Sequence, residues 1–110
     1  MTSKLISVAS DFSPSPAGRY LNDGPYPGEA FRDRLLVPAL KSNERVVVNL
    51  DGTDGYGSSF LEEAFGGLVR TGFTYSQLKA KLDIQSSRAS YRVRAWNYIE
   101  EEAQRPSKLS

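Results

Sequence analysis

Arg45-Val46-Val47-Val48-Asn49-Leu50-Asp51-Gly52-Thr53-Asp54-Gly55-Tyr56-Gly57-Ser58-Ser59-Phe60-Leu61-Glu62-Glu63-Ala64-Phe65 decides how the chain is read. Three consecutive valines predict a strand buried on both faces, as in the middle of a parallel sheet. Gly52, Asp54, Gly55 and Gly57 then predict a tight turn. Ser58 or Ser59 stands where a helix N-cap is expected, and Glu62 follows three or four residues on, as in a capping box. From about Ser59 to Arg70, Phe60, Ala64 and Leu68 share one helical face, widened by Leu61, Phe65 and Val69. Gly66-Gly67 inside that helix costs about 1 kcal/mol per glycine relative to alanine. The pair therefore predicts close approach of another backbone, most simply the sheet.

Upstream, Lys4 to Ala9 alternates apolar and polar residues and predicts a first strand. Residues 11–28 carry Pro14, Pro16, Pro25 and Pro27 with Gly18, Gly24 and Gly28, a density that breaks helix and strand alike and predicts a long loop. Arg19, Tyr20 and Tyr26 would suit a binding loop; the plainer reading is a surface connection whose tyrosines lie at the edge of the core. Glu29 to Lys41 has helical spacing through Phe31, Leu35 and Ala39, with Pro38 predicting a kink or a short final turn. Downstream, Gly72 ends the second helix and Thr74 caps a short helix from Tyr75 to Lys81. Leu82 to Gln85 predicts a short strand. Ser86 or Ser87 is expected to cap a last helix from Arg88 to about Gln104, whose buried stripe is read as Val93, Trp96, Ile99 and Ala103 with Ala89 and Ala95 alongside. Residues 105–110 are read as a fraying tail. The order is β-loop-α-β-α-α-β-α. It predicts one α/β domain over residues 1–110, a short, mostly parallel sheet with helices packed around it.

The chain has 110 residues, with no histidine and no cysteine. Ser-His-Asp and Cys-His nucleophile systems, Cys/His zinc sites, iron–sulfur clusters and disulfides are therefore excluded. Hydrophobic residues at 39% and charged residues at 25% fit a globular chain rather than a disordered one. Lys+Arg number 14 against 13 Asp+Glu, a near balance that gives no general drive toward nucleic acid or anionic membrane. No apolar run is long enough to span a membrane, and residues 1–8 turn polar too soon for a signal peptide. The expectation is a cytoplasmic protein.

Four constellations carry what chemistry remains. Asp51, Asp54, Glu62 and Glu63 cluster around one turn, but Thr53 and Gly55 stand where a calcium loop needs acids. Solvated turn acids, with Glu62 as capping partner, are the expectation, and no metal or cofactor is expected. Gly52, Gly55 and Gly57 before a helix resemble a phosphate cradle, yet neither G-x-x-x-x-G-K-[ST] nor G-x-G-x-x-G is present. Arg88, Arg92 and Arg94 in the last helix, near Tyr91 and Tyr98, form a candidate basic patch for RNA or an acidic partner. A salt-bridged, solvated face is preferred for it. Ser58 and Ser59 form the remaining constellation.

Val46 to Leu68, a buried strand ending in an acid, a short turn and a Ser-Ser-hydrophobic helix start, resembles the STAS-like family of unknown function, related to the STAS domain of anti-sigma-factor antagonists. The segment Gly28-Glu29-Ala30-Phe31-Arg32 through Leu35-Leu36-Val37-Pro38-Ala39-Leu40 resembles that family's first helix. The resemblance implies a STAS-like fold and a non-enzymatic, bacterial regulatory module that binds a protein. It implies contact at the Ser58 turn and the helix after it, with Ser58 as phosphoserine switch, Ser59 as its neighbour, and Asp51, Asp54, Phe60 and Glu62 around them. A histidine-kinase-type ATPase is the implied partner. The alternative is a nucleotide- or nucleic-acid-binding protein using the 52–57 glycine turn or the Arg88, Arg92 and Arg94 patch.

Overall fold

Val46 and Val48 are fully buried in the middle strand of a three-stranded parallel sheet. A computed structural model describes residues 2–105, so the end of the expected fraying tail, 106–110, lies outside the described residues. The middle strand, β2, is Arg45–Asn49; β1 is Ser3–Ser7 and β3 is Leu82–Gln85. The register sets Ile6 against Val48, Val48 against Ile84 and Val46 against Leu82. These residues form the buried face and join Phe31, Leu36, Leu40, Phe60 and Leu68 in one core. The alternate row is Leu5, Val47 and Asp83. Because side chains alternate along a strand, that row points away from the core: Leu5 is 65% exposed and Val47 only half-buried. The three valines are therefore buried on one face rather than both.

The order of elements is the expected one. Helix α1 spans 28–42 and is continuous: helical turns at Gly28–Phe31 and Val37–Ser42 flank a π turn at Arg32–Leu36. Pro38 neither breaks nor isolates its end. The Val37 N–H bonds the Arg32 carbonyl five residues back, and this wider turn makes room for the proline ring that follows. Helix α2, 58–70, is built alike, with a π turn at Glu62–Gly66. Helix α3 is Tyr75–Lys81, capped by Thr74 in a capping box with Gln77. Helix α4 is Ala89–Gln104.

The structure differs from the sequence reading in four further places, the last of them the glycine pair of α2. β1 ends at Ser7, and Val8–Phe12 forms a single π turn whose start is held by the Ser7 hydroxyl accepting from the Ser10 N–H. The stripe of α4 is rotated. Ala95 and Ile99 are buried, but Val93 is 49% exposed, Ala103 is exposed, and Trp96 is half-buried beneath Lys79, whose Nζ lies 4.7 Å from its ring centroid. Neither Ser86 nor Ser87 caps α4; Arg88 holds that position without a side-chain bond. Among the described residues no helix is long and apolar enough to cross a membrane.

The glycine pair of α2 does not meet the sheet. A methyl on Gly66 would lie 3.3 Å from the Tyr98 carbonyl of α4, and one on Gly67 would collide with the Arg32 guanidinium. The backbone of α1 also comes close to α2 at Gly28, where a methyl would lie 2.5 Å from the Phe60 carbonyl. Gly28→Ala forces these helices apart and is expected to destabilise the protein by about 1–3 kcal/mol. Urea denaturation checks this; an unchanged midpoint would show that the helices part freely.

Candidate functional site

Ser58 and Ser59 open α2 just beyond the C-terminal end of β2, the end at which open parallel sheets place their ligands. Both are exposed. Neither is the N-cap. Gly57 takes that position in extended conformation and supplies no side chain, while its carbonyl accepts the Leu61 N–H at 3.3 Å. The expected capping box is therefore absent, and both serine hydroxyls are left without that structural task. The first-turn N–H groups of α2 lack intrahelical partners, and the helix dipole makes this end partly positive. Phe60 is fully buried against Phe31 and Tyr56, with ring centroids 6.0 and 5.7 Å away. It is a core residue and cannot meet a partner.

The acids near the turn are engaged separately. Asp51 Oδ1 accepts from the Ser87 backbone N–H at 2.8 Å and the Ser87 hydroxyl at 2.9 Å, which ties the end of β2 to the turn before α4. The backbone hydrogen bond from Ser87, helped by its hydroxyl, holds the Asp51 carboxyl below the usual carboxylate range. Asp54 Oδ2 accepts from the Ser15 hydroxyl at 2.9 Å, and the Asp54 N–H donates to the Pro14 carbonyl at 2.9 Å. Among the described residues no three acidic side chains converge to hold a metal ion. Tyr56 seals the turn from below by donating its hydroxyl to the Leu50 carbonyl at 2.6 Å, and burial pushes that hydroxyl up to about 12.

The glycine turn is closed by its own bonds. The Asp51 N–H donates to Asn49 Oδ1, the Gly55 N–H to Thr53 Oγ1, and the Asp54 N–H to Pro14. These N–H groups are not free to cradle a phosphate. The three arginines of α4 do not form one patch. Arg92 and Arg94 project about 160° apart at helical spacing, and Arg88 stacks on the Tyr91 ring at 6.0 Å.

Glu62 belongs to a different constellation, most of which sequence reasoning missed. It pairs with Arg19 of the proline-rich loop, and both guanidinium NH2 groups of Arg70 donate to it, at 2.8 and 3.1 Å. Glu63, 7% exposed at its side chain, pairs with Arg32 of α1, with Arg70 at 3.2 Å and with Arg19 at 3.4 Å. Arg32 also bonds Asp33 at 2.8 Å, and Arg70 reaches Glu102 of α4 at 2.5 Å. Burial pushes the Glu62 carboxyl up, but the hydrogen bonds from Arg70 and Arg19 outweigh it and hold the group below its ordinary value. The Glu62 hydrogen bond is also the main reason the guanidinium of Arg19 is raised, and that of Arg70. A cleft of about 510 Å³ lies over this network, lined also by Tyr20 and Tyr98. One local signal was present: Glu63 interrupts an otherwise apolar helical face between Phe60 and Leu68.

A family model described as a STAS-like domain of unknown function (DUF4325) matches residues 27–90. The match takes in α1, β2, the serine turn, α2, α3 and β3. No curated protein and no solved structure matches the chain.

Glu63→Gln leaves Arg32 short of its buried counter-charge and is expected to cost about 3 kcal/mol, read as a lowered denaturation midpoint. Glu62 sets a pH dependence. Its folded pKa lies below the ordinary 4.5, so the unfolded chain takes up the proton first as pH falls. The stabilisation is complete above that value and declines below it. Stability measured from pH 7 to pH 3 should therefore fall less steeply in Glu62→Gln than in the natural chain.

Proposed function

The chain belongs to the family of STAS-like domains of unknown function (DUF4325), and from that premise we propose that it is a non-enzymatic, cytoplasmic regulatory module that binds a protein partner at the serine turn. The contact surface is residues 51–59 with the first turn of α2. One observation carries the reading: the serine pair is exposed, and the N-cap task that would explain it falls to Gly57. The switch is phosphorylation of that pair, with Ser58 in the position that resembles the antagonists' phosphoserine. A histidine-kinase-type ATPase is the proposed partner. It transfers the γ-phosphoryl group of ATP to the serine oxygen: an Oγ–P bond forms, the bond to the β-phosphate oxygen breaks, ADP leaves and the hydroxyl proton is lost. Phosphate adds nearly two negative charges beside a turn that already carries Asp51 and Asp54, which changes the charge a partner meets. The partial positive charge of the helix start tolerates the group.

Incubation with such an ATPase from the same genome and ATP should raise the intact mass by one phosphate. A chain carrying both Ser58→Ala and Ser59→Ala should stay unchanged. No mass increase in the natural chain, or an equal increase in the double variant, removes the switch.

A further inference from the structure

Arg19 comes to α2 from the loop between Phe12 and Gly28 and holds two carboxylates of one helical ridge, Glu62 and Glu63. Residues three and four apart on a helix are neighbours, about 5–6 Å between Cβ atoms. Ser59 stands three residues before Glu62 and four before Glu63, in the α-helical first turn that precedes the π turn. Ser58 is four before Glu62 but five before Glu63, and its other near neighbour, Leu61, is buried. Ser59 therefore heads the ridge that Arg19 grips. The same loop is pinned on the opposite side of the serine pair, where Pro14 and Ser15 bond Asp54. The loop is thus tied to the chain on both sequence sides of the serine pair, at Asp54 and at Glu62.

Arg19 is also the exchangeable member of the network. Without it Glu62 keeps Arg70, and Glu63 keeps Arg32 and Arg70. Arg19 is 30% exposed at its side chain and Arg70 34%, but Arg70 is held by a third carboxylate, Glu102, and Arg32 is only 10% exposed, so Arg19 is the accessible member with the fewest ties. It lies upstream of the family match, residues 27–90.

We propose that Arg19 is a strap that reads the serine turn: phosphate on Ser59 takes the Arg19 guanidinium from Glu62 and Glu63 and loosens the 13–27 loop from α2. Two forces act in one direction. A phosphate offers more charge and more acceptor oxygens than a carboxylate, and it repels the two glutamates that follow it on the ridge. Tyr20 and Leu21, 52% and 55% exposed beside Arg19, move with the strap. Modification then alters the shape of the partner-facing surface as well as its charge. The inference rests on the proposed phosphorylatable turn, and adds which serine is coupled and which residue responds.

The test places phosphoserine at position 59 or 58 during translation, so no kinase is involved. A turn that no ATPase modifies and an Arg19 that does not respond are then separate results. Titration by ³¹P NMR should give the Ser59 phosphate a second pKa lower by about half a unit, roughly threefold in proton affinity, with Arg19 than in Arg19→Gln. Arg19→Lys should keep part of the shift, and the Ser58 phosphate should show little. Amide hydrogen exchange at Leu21 and Glu29, which the loop holds in place, should quicken several-fold on phosphorylation of position 59. Equal pKa values with and without Arg19, a larger shift at position 58, or unchanged exchange would overturn the proposal.

Discussion

Glu63 is the group on which three parts of the chain depend. A carboxylate this deeply buried costs several kcal/mol if it stands alone. It is neutralised from three directions: Arg32 from α1, Arg19 from the long loop, and Arg70 from the end of its own helix. Apolar burial has no direction, so the core by itself lets two helices slide along one another. A guanidinium–carboxylate pair is satisfied in a narrow range of geometries. The network therefore fixes the register of α1 on α2, and Arg70 extends it to α4 through Glu102. The glycines follow from this arrangement. Gly67 has no side chain because the Arg32 guanidinium occupies that space, and Gly28 has none because α1 starts against the Phe60 carbonyl.

The same constraint accounts for the irregular centre of each helix. The π turn of α1 begins at Arg32, and that of α2 begins at Glu62 and Glu63. Each turn inserts one residue into the helical ladder. Here both occur at the residues that carry the interhelical charge. The sheet tolerates a one-sided arrangement for a related reason. Its helices are bound to each other by charge as well as packed on Val46 and Val48, while the Leu5, Val47 and Asp83 row faces away from the core.

What the sequence disclosed follows the range of each interaction. β2, α3 and β3 were legible because their signals are local: the valine run, the Thr74–Gln77 box and the apolar alternation of residues 82–84. The capping box at Ser59 was misread because Glu62 is claimed by Arg19, a partner distant in sequence, and because Gly57 can hold the extended N-cap conformation unaided. The valine run could not distinguish one buried face from two, since that depends on whether a second layer covers the sheet. The α4 stripe was misplaced because alanines and aromatics lie all around that helix. Ala95 is buried for its small size against α2, and Val93 is left outside. The ion network was hidden because it assembles from the loop, α1, α2 and α4, each contributing a charge that is ordinary in its own segment.

These commitments narrow what the C-terminal end of the sheet offers to another molecule. Asp51 is spent on Ser87 and Asp54 on Ser15. The turn's N–H groups at residues 51, 54 and 55 are spent on neighbours, and Glu62 is spent on two arginines. Phe60 and Tyr56 lie in the core. The serine pair at the start of α2 remains exposed and outside these pairings. Stability is invested in the middle turn of α2 and exposure is kept for its first turn, one helical turn apart on the same ridge. A charge added to the first turn therefore acts on the ion pairs of the second. Under the proposed phosphorylation, this proximity would give the chain a physical route from the modified side chain to its own fold, built from serine, arginine and glutamate without histidine or cysteine.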